Sequence, residues 1–213
     1  ENVKNLLNIR FREDFNKIIS MLENLGYTVK YELLNSKNFG VCQNRERVFI
    51  VASLEGEFTI PKKSNKSITN LHDLLIDDDC DNIKDEVKKR IMYEAKSDII
   101  RKAIPERKEE FQNKVICLNS KNIYNKQPSQ QYRVYSKNGI MTTLSAQLNG
   151  RYNVISSKGF IRKITPRESL LLQCFQLEDY EKIKGMGNKI YKLSGNSIPV
   201  YMLEELFKEL LNT

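Results

Sequence analysis

The sequence predicts an α/β fold into which a small, irregular and mostly β domain is inserted. Residues 1–54 contain a helical apolar stripe followed by two β-rich segments, a pattern that fits the end of an α/β sheet. Residues 55–160 are rich in Lys, Asn and Ser and only patchily periodic, and residues 161–213 return to helical periodicity. We therefore expect residues 1–54 and 161–213 to form one domain and residues 55–160 to form a second.

The first predicted helix runs from Phe11 to Leu25, because its apolar residues recur at helical spacing. Glu13 and Asp14 lie near its start, where the helix macrodipole favours negative charge. Gly26 follows directly and is a residue type that commonly ends helices. The three signals agree on one amphipathic helix.

Two strands follow this helix, at Tyr27–Leu34 and Arg47–Ala52, with a polar loop between them. The second strand is apolar after its first residue, which is typical of a covered strand. In the inserted region we predict one helix and three short β segments, at Ile83–Ala95, Lys114–Leu118, Tyr132–Ser136 and Arg151–Ile155.

Two further helices are predicted near the end of the chain. One begins at Thr165-Pro166, because a proline in the first helical turn loses no hydrogen bond, and Cys174 contributes to its packing face. The other begins near Ser197, with Pro199 in its first turn and a strong apolar stripe behind it. Residues 185–187 read Gly-Met-Gly, which predicts a turn between helices because the third glycine of a dinucleotide-binding loop is missing.

The composition favours a polyanionic partner. Lys and Arg number 35 against 27 Asp and Glu, for a net charge of +8 and a pI of about 9.2. Nucleic acid is the commonest polyanionic partner, although charge alone leaves the question open. No apolar run approaches the roughly 20 residues that cross a bilayer, so no membrane partner is predicted.

The four cysteines are scattered and never form a CxxC pair, and His72 is the one histidine. This distribution offers no metal-ligand cluster, so we predict no metal cofactor. Scattered single cysteines favour a reducing cytoplasm and small packing residues rather than reactive thiols.

Arg45 and Arg47 stand at the start of the apolar strand. Residues at i and i+2 of a strand point to the same face, so both guanidiniums are expected on one side. An exposed sheet edge that carries charges is the ordinary alternative. Placement before a buried strand instead favours a rigid site that holds an oxygen or a carboxylate in plane.

A polar and aromatic segment, residues 130–146, has the residue types of a nucleic-acid interface. Arginine can bind guanine through two hydrogen bonds, glutamine can do the same with adenine, and hydroxyls contact phosphates. Without further context, Asn138-Gly139 would instead favour an ordinary β-hairpin.

Five segments occur in an order that resembles the DNA (cytosine-5)-methyltransferase family from its sixth motif to its tenth. They are ENV at residues 1–3, FGVCQNRERVFIV at 39–51, RVYSKNGIMTTLSA at 133–146, RKITPRESLLLQCF at 162–175 and GNSIPVYMLEEL at 195–206. The resemblance covers nearly the whole chain. It implies the C-terminal part of a Rossmann-like, S-adenosylmethionine-dependent methyltransferase domain, with the target-recognition domain inserted at residues 55–160.

The resemblance also implies a division of labour. Family members flip a cytosine out of double-stranded DNA, add a cysteine thiolate to C6 and methylate C5. Glu1 would contact the N3 edge of the base with Asn2 as support, and Arg47 with Arg45 would hold the base oxygen O2. The residues that would face DNA are Gln130, Arg133, Tyr135, Ser136, Thr143, Ser145, Arg162 and Arg167. Those that would line the S-adenosylmethionine pocket are Asn196, Ser197 and Ile198.

Two family features have no counterpart in this sequence: the glycine-rich cofactor loop and the proline-cysteine loop that carries the nucleophile. Cys42 lies within the eighth motif and is not expected to replace that nucleophile. The chain begins at Glu1 rather than at a methionine. We therefore expect it to be inactive alone and to require an N-terminal catalytic half, from the same chain or from a separate subunit. A DNA-binding methyltransferase relic is the alternative, and the Lys/Asn-rich usage points to a bacterial source.

Overall fold

The computed structural model describes residues 1–76, 113–119, 128–147, 152–156 and 161–211. An antiparallel sheet opens the chain, formed by β1 (Asn2–Val3), β2 (Thr28–Asn35) and β4 (Glu46–Ser53) in the order β1-β4-β2. Strands β2 and β4 pair along their whole length, from Thr28 opposite Ser53 to Asn35 opposite Glu46. The apolar strand β4 is therefore the central one, in agreement with its sequence pattern.

Helix α1 (Arg12–Asn24) packs on one face of this sheet through few residues. Phe15 is its one buried residue, and the Phe15 ring meets the Tyr31 ring edge-on, with the centroids 4.7 Å apart. The predicted helix is confirmed. However, Phe11, Ile18 and Leu25 of the predicted stripe are exposed in the part of the chain that the structure describes.

The last helix, α6 (Val200–Leu211), covers the opposite face of the sheet. Its buried residues Met202 and Leu206 pack with Leu34 of β2 and Phe49 of β4. Because Tyr31 and Leu34 are separated by an odd number of positions, they point to opposite sides of β2. The sheet therefore has helix α1 on one side and helix α6 on the other, and the last helix returns to the first segment as predicted.

A second core surrounds short strands from the middle of the chain. Strand β3 (Gln43–Asn44) pairs in parallel with β6 (Met141–Thr142), and β5 (Val134–Tyr135), β7 (Asn153–Ile155) and β8 (Ile161–Lys163) form a separate sheet in the order β5-β7-β8. The segment around Asn138-Gly139 lies between β5 and β6, but these two strands pair with different partners. The hairpin interpretation is therefore wrong.

Four more helices complete the described chain: α2 (Leu71–Leu74), α3 (Pro166–Leu171), α4 (Leu177–Ile183) and α5 (Lys189–Asn196). Helix α3 begins directly after Thr165 as predicted. Thr165 also caps it, since its side chain accepts from the Glu168 N–H while the Glu168 carboxylate accepts from the Thr165 N–H. A short 3-10 turn, Lys184–Met186, separates α4 from α5 and confirms the predicted Gly-Met-Gly turn. None of the helices within the described ranges has the length and apolarity to cross a membrane.

Some predicted elements are changed or lie elsewhere. The helix predicted at Ile83–Ala95 falls outside the described residues. The segment Lys114–Leu118 contributes a single bridge, between Cys117 and Tyr135, rather than a strand. The final helix begins at Val200 rather than near Ser197, because Ser197 ends the preceding helix α5.

Cys174 does not lie in a packing helix, as its sequence neighbourhood predicts. Helix α3 ends at Leu171, and Cys174 adopts a left-handed backbone with φ 61°. The N–H of Phe175 then bonds back to the carbonyl of Leu170, which closes the end of the helix. For residues other than glycine this backbone conformation costs roughly 1–2 kcal/mol of conformational energy, so Cys174 carries local strain.

This strain predicts that valine and glycine substitutions rank in opposite orders of stability at Cys174 and at Cys42. At Cys174, replacement by valine should cost about 1–2 kcal/mol more unfolding free energy than replacement by glycine, because a β-branched residue fits the left-handed region worst. Cys42 is buried and has no positive φ, so there valine should be the better tolerated residue. Urea unfolding of the four variants measures both orders, and the same order at both positions would contradict the strain.

Candidate functional site

Glu1 and Arg47 form an ion pair on the face of the sheet that also carries α6. Val3 stands opposite Arg47 across the β1–β4 ladder, and Glu1 shares the side of Val3 because strand side chains alternate. The Arg47 Nε lies 2.8 Å from a Glu1 carboxylate oxygen, and the two side chains are 15% and 20% exposed. Arg47 also donates to the carbonyl of Glu46 at 2.7 Å. The arginine is therefore fixed at two points while other N–H groups remain for a ligand.

Arg45 differs from the expectation that it holds a base beside Arg47. Its side chain is buried and donates to three backbone carbonyls, those of Leu144 at 2.9 Å and of Gly195 and Ser197 at 3.0 Å. Burial, with a smaller contribution from the Arg47 charge, lowers the pKa of Arg45 to about 10, so it stays charged at neutral pH. The structure corrects its role from base contact to internal clamp.

Gln43 is a buried residue that the motif comparison did not single out. Its amide nitrogen donates to the carbonyl of Leu172 at 3.1 Å, and its amide oxygen accepts from the N–H of Leu144 at 3.1 Å. The backbone of Leu144 is thus held on both sides, by Gln43 and by Arg45. A polar residue just before the strand motif was the one available signal, and such residues are usually exposed.

Residues 143–146, which we call the anchored loop, are tied down by further bonds. The Thr143 hydroxyl donates to the carbonyl of Asn44 at 2.7 Å. The Tyr152 hydroxyl donates to the carbonyl of Thr143 at 3.1 Å and accepts from the N–H of Ser145. The Ser145 hydroxyl accepts from the N–H of Gln147 at 3.2 Å. The hydroxyls of Thr143 and Ser145, two of the residues expected to face DNA, therefore already have protein partners, although both residues remain partly exposed.

The other predicted DNA contacts divide by burial. Gln130 lies in a short 3-10 helix and is partly exposed, and Arg133 is partly exposed with its Nε bonded to the carbonyl of Pro128 at 3.0 Å. Tyr135 is 1% exposed and packs in the second core, and Ser136 is 8% exposed. Contact with DNA is therefore not available to the Tyr135 ring and is nearly closed to Ser136, which corrects both expectations.

Arg162 is fully buried and, through Glu168, ties the segment that follows the inserted region to Ile76 within it. Its guanidinium binds both oxygens of Glu168, at 2.9 and 2.8 Å, and the Glu168 carboxylate also accepts from the N–H of Ile76 at 2.7 Å. Arg162 therefore cannot reach DNA, and the expected contact is corrected to a brace. Arg167 is partly exposed, but its buried Nε has no hydrogen-bond partner among the described residues.

The predicted cofactor residues connect the C-terminal end of α5 to the start of α6. Asn196 is the last residue of α5 and is exposed, while the Ser197 hydroxyl donates to the carbonyl of Ser194 at 2.8 Å. Ile198 packs against the core below α6. The exposed amide of Asn196 remains available to a polar ligand.

Gly195 brings α5 against the anchored loop. A Cβ at this position would stand 2.3 Å from the N of Ala146 and 2.6 Å from the carbonyl carbon of Ser145, closer than any real side chain approaches. Glycine is therefore required by the contact between two backbones. Together with Arg45, it joins the predicted recognition segment to the predicted cofactor segment.

The environments of the described cysteines disfavour the thiolate form that a nucleophile needs. Burial raises the pKa of Cys42 and of Cys174 to about 12 and raises that of Cys117 as well. Because the thiolate is the reactive form, these thiols are poor nucleophiles. Cys80 lies outside the described residues. Within the described ranges, no group of three or more His, Cys, Asp or Glu side chains could hold a metal ion.

The comparisons with known proteins agree on one family. The family model of C-5 cytosine-specific DNA methylases matches residues 1–212. The type II methyltransferase M2.ScrFI of Lactococcus lactis subsp. cremoris is 32% identical over 217 residues, which cover 100% of this chain and 53% of the relative. The type II methyltransferase M.Bsp6I of a Bacillus species is 30% identical and is matched over 99% of this chain and 65% of its own length. The chain thus spans about half to two thirds of the curated relatives it matches.

Solved structures agree with the fold. The Entamoeba histolytica methyltransferase EhMeth superposes with a TM-score of 0.55 at 16% identity, over 95% of this chain and 59% of that one. The Dnmt2 methyltransferase of S. pombe gives a TM-score of 0.56 at 17% identity, over 100% of this chain and 66% of that one. The arrangement of helices and sheets described above is therefore that of methyltransferase structures.

The buried Arg162–Glu168 pair predicts a large loss of stability when one partner is neutralised. Glu168→Gln should cost about 3–5 kcal/mol of unfolding free energy, because it leaves a buried guanidinium without its counter-charge. The exposed pair between Lys184 and Glu181 offers a matched control, where Glu181→Gln should change stability by less than about 0.5 kcal/mol. Urea unfolding measures both, and equal losses would argue against the brace.

Proposed function

Because the chain belongs to the family of C-5 cytosine-specific DNA methylases, we propose that it is the base-holding and DNA-recognising part of a complete enzyme. That enzyme transfers a methyl group from S-adenosylmethionine to C5 of a cytosine flipped out of double-stranded DNA. The type II names of the bacterial relatives support a restriction–modification setting. The observation that carries the proposal is the ion pair between Glu1 and Arg47.

The geometry of this pair suits a flipped cytosine. Nucleophilic attack on C6 pushes negative charge onto the N3 and O2 edge of the ring, and hydrogen bonds aimed at that edge lower the barrier. We assign the N3 contact to Glu1, whose carboxyl group would carry the proton donated to N3, and the O2 contact to Arg47. Asn2 lies on the opposite face of β1, and its side-chain oxygen accepts from the N–H of Val3 at 2.8 Å, so the support expected of Asn2 is dropped. The ion pair keeps both side chains in fixed rotamers before the base arrives, which reduces the cost of organising the site.

The chain's own residues would provide one wall of the S-adenosylmethionine site. Asn196 presents an exposed amide, and Ser197 and Ile198 continue the same surface toward the sheet. These uncharged polar and apolar groups fit the amino-acid part of the cofactor, which supplies the methyl group when bound. We assign these three residues to positioning only.

DNA contact would rest on the partly exposed polar residues of the middle segment. Gln130 and Arg133 are the proposed base contacts, and Thr143, Ser145 and Arg167 are proposed neighbours of the phosphate backbone. The net charge of +8 supports this assignment, because basic charge draws the protein to DNA irrespective of sequence.

An apolar surface supports a further catalytic part of the enzyme. Ile18 and Met21 on α1, with Phe11 and Leu25 at its two ends, are 41–70% exposed, and Tyr31 and Leu33 on the sheet are also exposed. Among the described residues, the edge strand β1 pairs on one side only, with β4. Large apolar side chains exposed in this number on one region of a fold normally lie against another protein surface. We propose that the N-terminal half, which carries the cysteine nucleophile, covers it.

A methyl-transfer assay tests the proposed function. The complete protein, incubated with tritiated S-adenosylmethionine and unmethylated DNA, should label the DNA, and sequencing of 5-methylcytosine positions should reveal one methylated site. The isolated chain should transfer no label. A complete protein that binds DNA but transfers nothing would support the relic alternative and overturn the proposal.

Within the complete enzyme, Arg47→Ala should lower kcat by about 10²–10³-fold, the usual effect of removing one donor to developing negative charge. DNA affinity should change by less than about threefold, because the residue acts on the flipped base rather than on the phosphates. Lys4 and Glu46 form an exposed ion pair on the neighbouring segments, so Lys4→Ala is the control and should leave kcat unchanged. Single-turnover kinetics with the mapped duplex measure this, and an unchanged kcat in Arg47→Ala would remove Arg47 from the site.

A further inference from the structure

One buried guanidinium links the two binding segments of the molecule. Arg45 donates through one terminal nitrogen to the Leu144 carbonyl of the anchored loop and through the other to the Gly195 and Ser197 carbonyls at the end of α5. Its side chain has no carboxylate partner among the described residues; the contacts are all to backbone. The position of one segment therefore fixes that of the other without regard to their side chains.

The two segments also touch directly. Gly195 leaves no room for a Cβ against Ser145 and Ala146, so α5 cannot shift toward the loop. Gln43 holds the N–H of Leu144 from the strand side, which prevents the loop from moving independently of Gln43. Close-packed backbones of this kind transmit displacement rather than absorb it.

The clamp is adjacent to the proposed base-holding pair. Arg45 immediately precedes β4, whose second residue is Arg47. A movement of the anchored loop would therefore reach both the wall formed by residues 195–198 and the arginine that binds Glu1.

We propose that Arg45 is a positioning residue that couples DNA binding at the anchored loop to cofactor binding at residues 195–198. The inference rests on the proposed function and adds to it a mutual dependence of the two affinities. Coupling of this kind is reciprocal: DNA tightens cofactor binding by the same factor by which the cofactor tightens DNA binding.

Arginine is suited to this role because its planar fork can serve carbonyls on two segments at once. A lysine ammonium is a single point charge on a flexible stem and cannot span both segments with fixed geometry. Arg45→Lys therefore retains the charge while loosening the link, which makes it the informative substitution.

The test compares two affinities in the complete enzyme. The dissociation constant of S-adenosylhomocysteine is measured with and without the mapped duplex, by calorimetry or by fluorescence. In the wild-type enzyme the duplex should tighten binding, by about 5-fold or more. In Arg45→Lys this ratio should fall to about one, while the affinity without DNA stays within about twofold of wild type.

Arg162→Lys is the matched control. Arg162 is also buried and also braces the inserted region, but its partners are Glu168 and the Lys163 carbonyl rather than the loop or α5. It should lower the urea midpoint without changing the ratio of affinities. A purely structural role for Arg45 would give this same result, so an unchanged ratio in Arg45→Lys overturns the inference.

A second variant keeps the test valid if Arg45→Lys does not fold. Gly195→Ala pushes the same two segments apart and should also lower the ratio of the affinities with and without DNA to about one. Gly185→Ala, whose added Cβ meets no atom within 4 Å, should leave the ratio at its wild-type value. If the duplex does not change the affinity of the wild-type enzyme for S-adenosylhomocysteine while methyl transfer is intact, the coupling is overturned and the proposed function still holds. Absence of methyl transfer overturns the proposed function, and the coupling falls with it.

Discussion

The burial of Arg45 is the constraint on which the rest of the described structure depends. A charged group removed from water must replace its lost hydration, and here backbone carbonyls from two distant segments do so. The charge thus joins two segments that are distant in sequence to the residue that precedes β4, beside the Glu1–Arg47 ion pair.

Helices and strands with a regular apolar spacing were predictable from the sequence, whereas contacts between segments distant in sequence were not. Helix α1, strand β4, the capped start of α3 and the last helix follow from apolar spacing and capping residues, signals that are local. The parallel pairing of β3 with β6 joins residues about a hundred positions apart, and no local pattern encodes it. The same holds for the left-handed backbone at Cys174, which arises from the closure of α3 rather than from a residue preference.

The site divides in the same way. Family order selected a set of polar residues as candidates for the site, but it could not separate those that are open to a ligand from those that face the protein interior. Arg45 and Arg47 are two positions apart, yet one is clamped by carbonyls and the other by Glu1. Arg162 and Tyr135 have side chains typical of DNA contacts and are buried. Burial depends on neighbours that are distant in sequence, so residue type alone wrongly placed Arg162 and Tyr135 on the DNA-facing surface.

The manner in which the anchored loop is held has a consequence for how such proteins diversify. Leu144 is bound through its N–H and its carbonyl, and Thr143 and Ser145 are bound partly through theirs, so the attachment depends little on side-chain identity. When a loop is held through its main chain, its exposed side chains can be substituted without loss of the hydrogen bonds that hold it. Under the proposed function, the side chains that would contact DNA can therefore be replaced while Arg45 and Arg47 keep their positions.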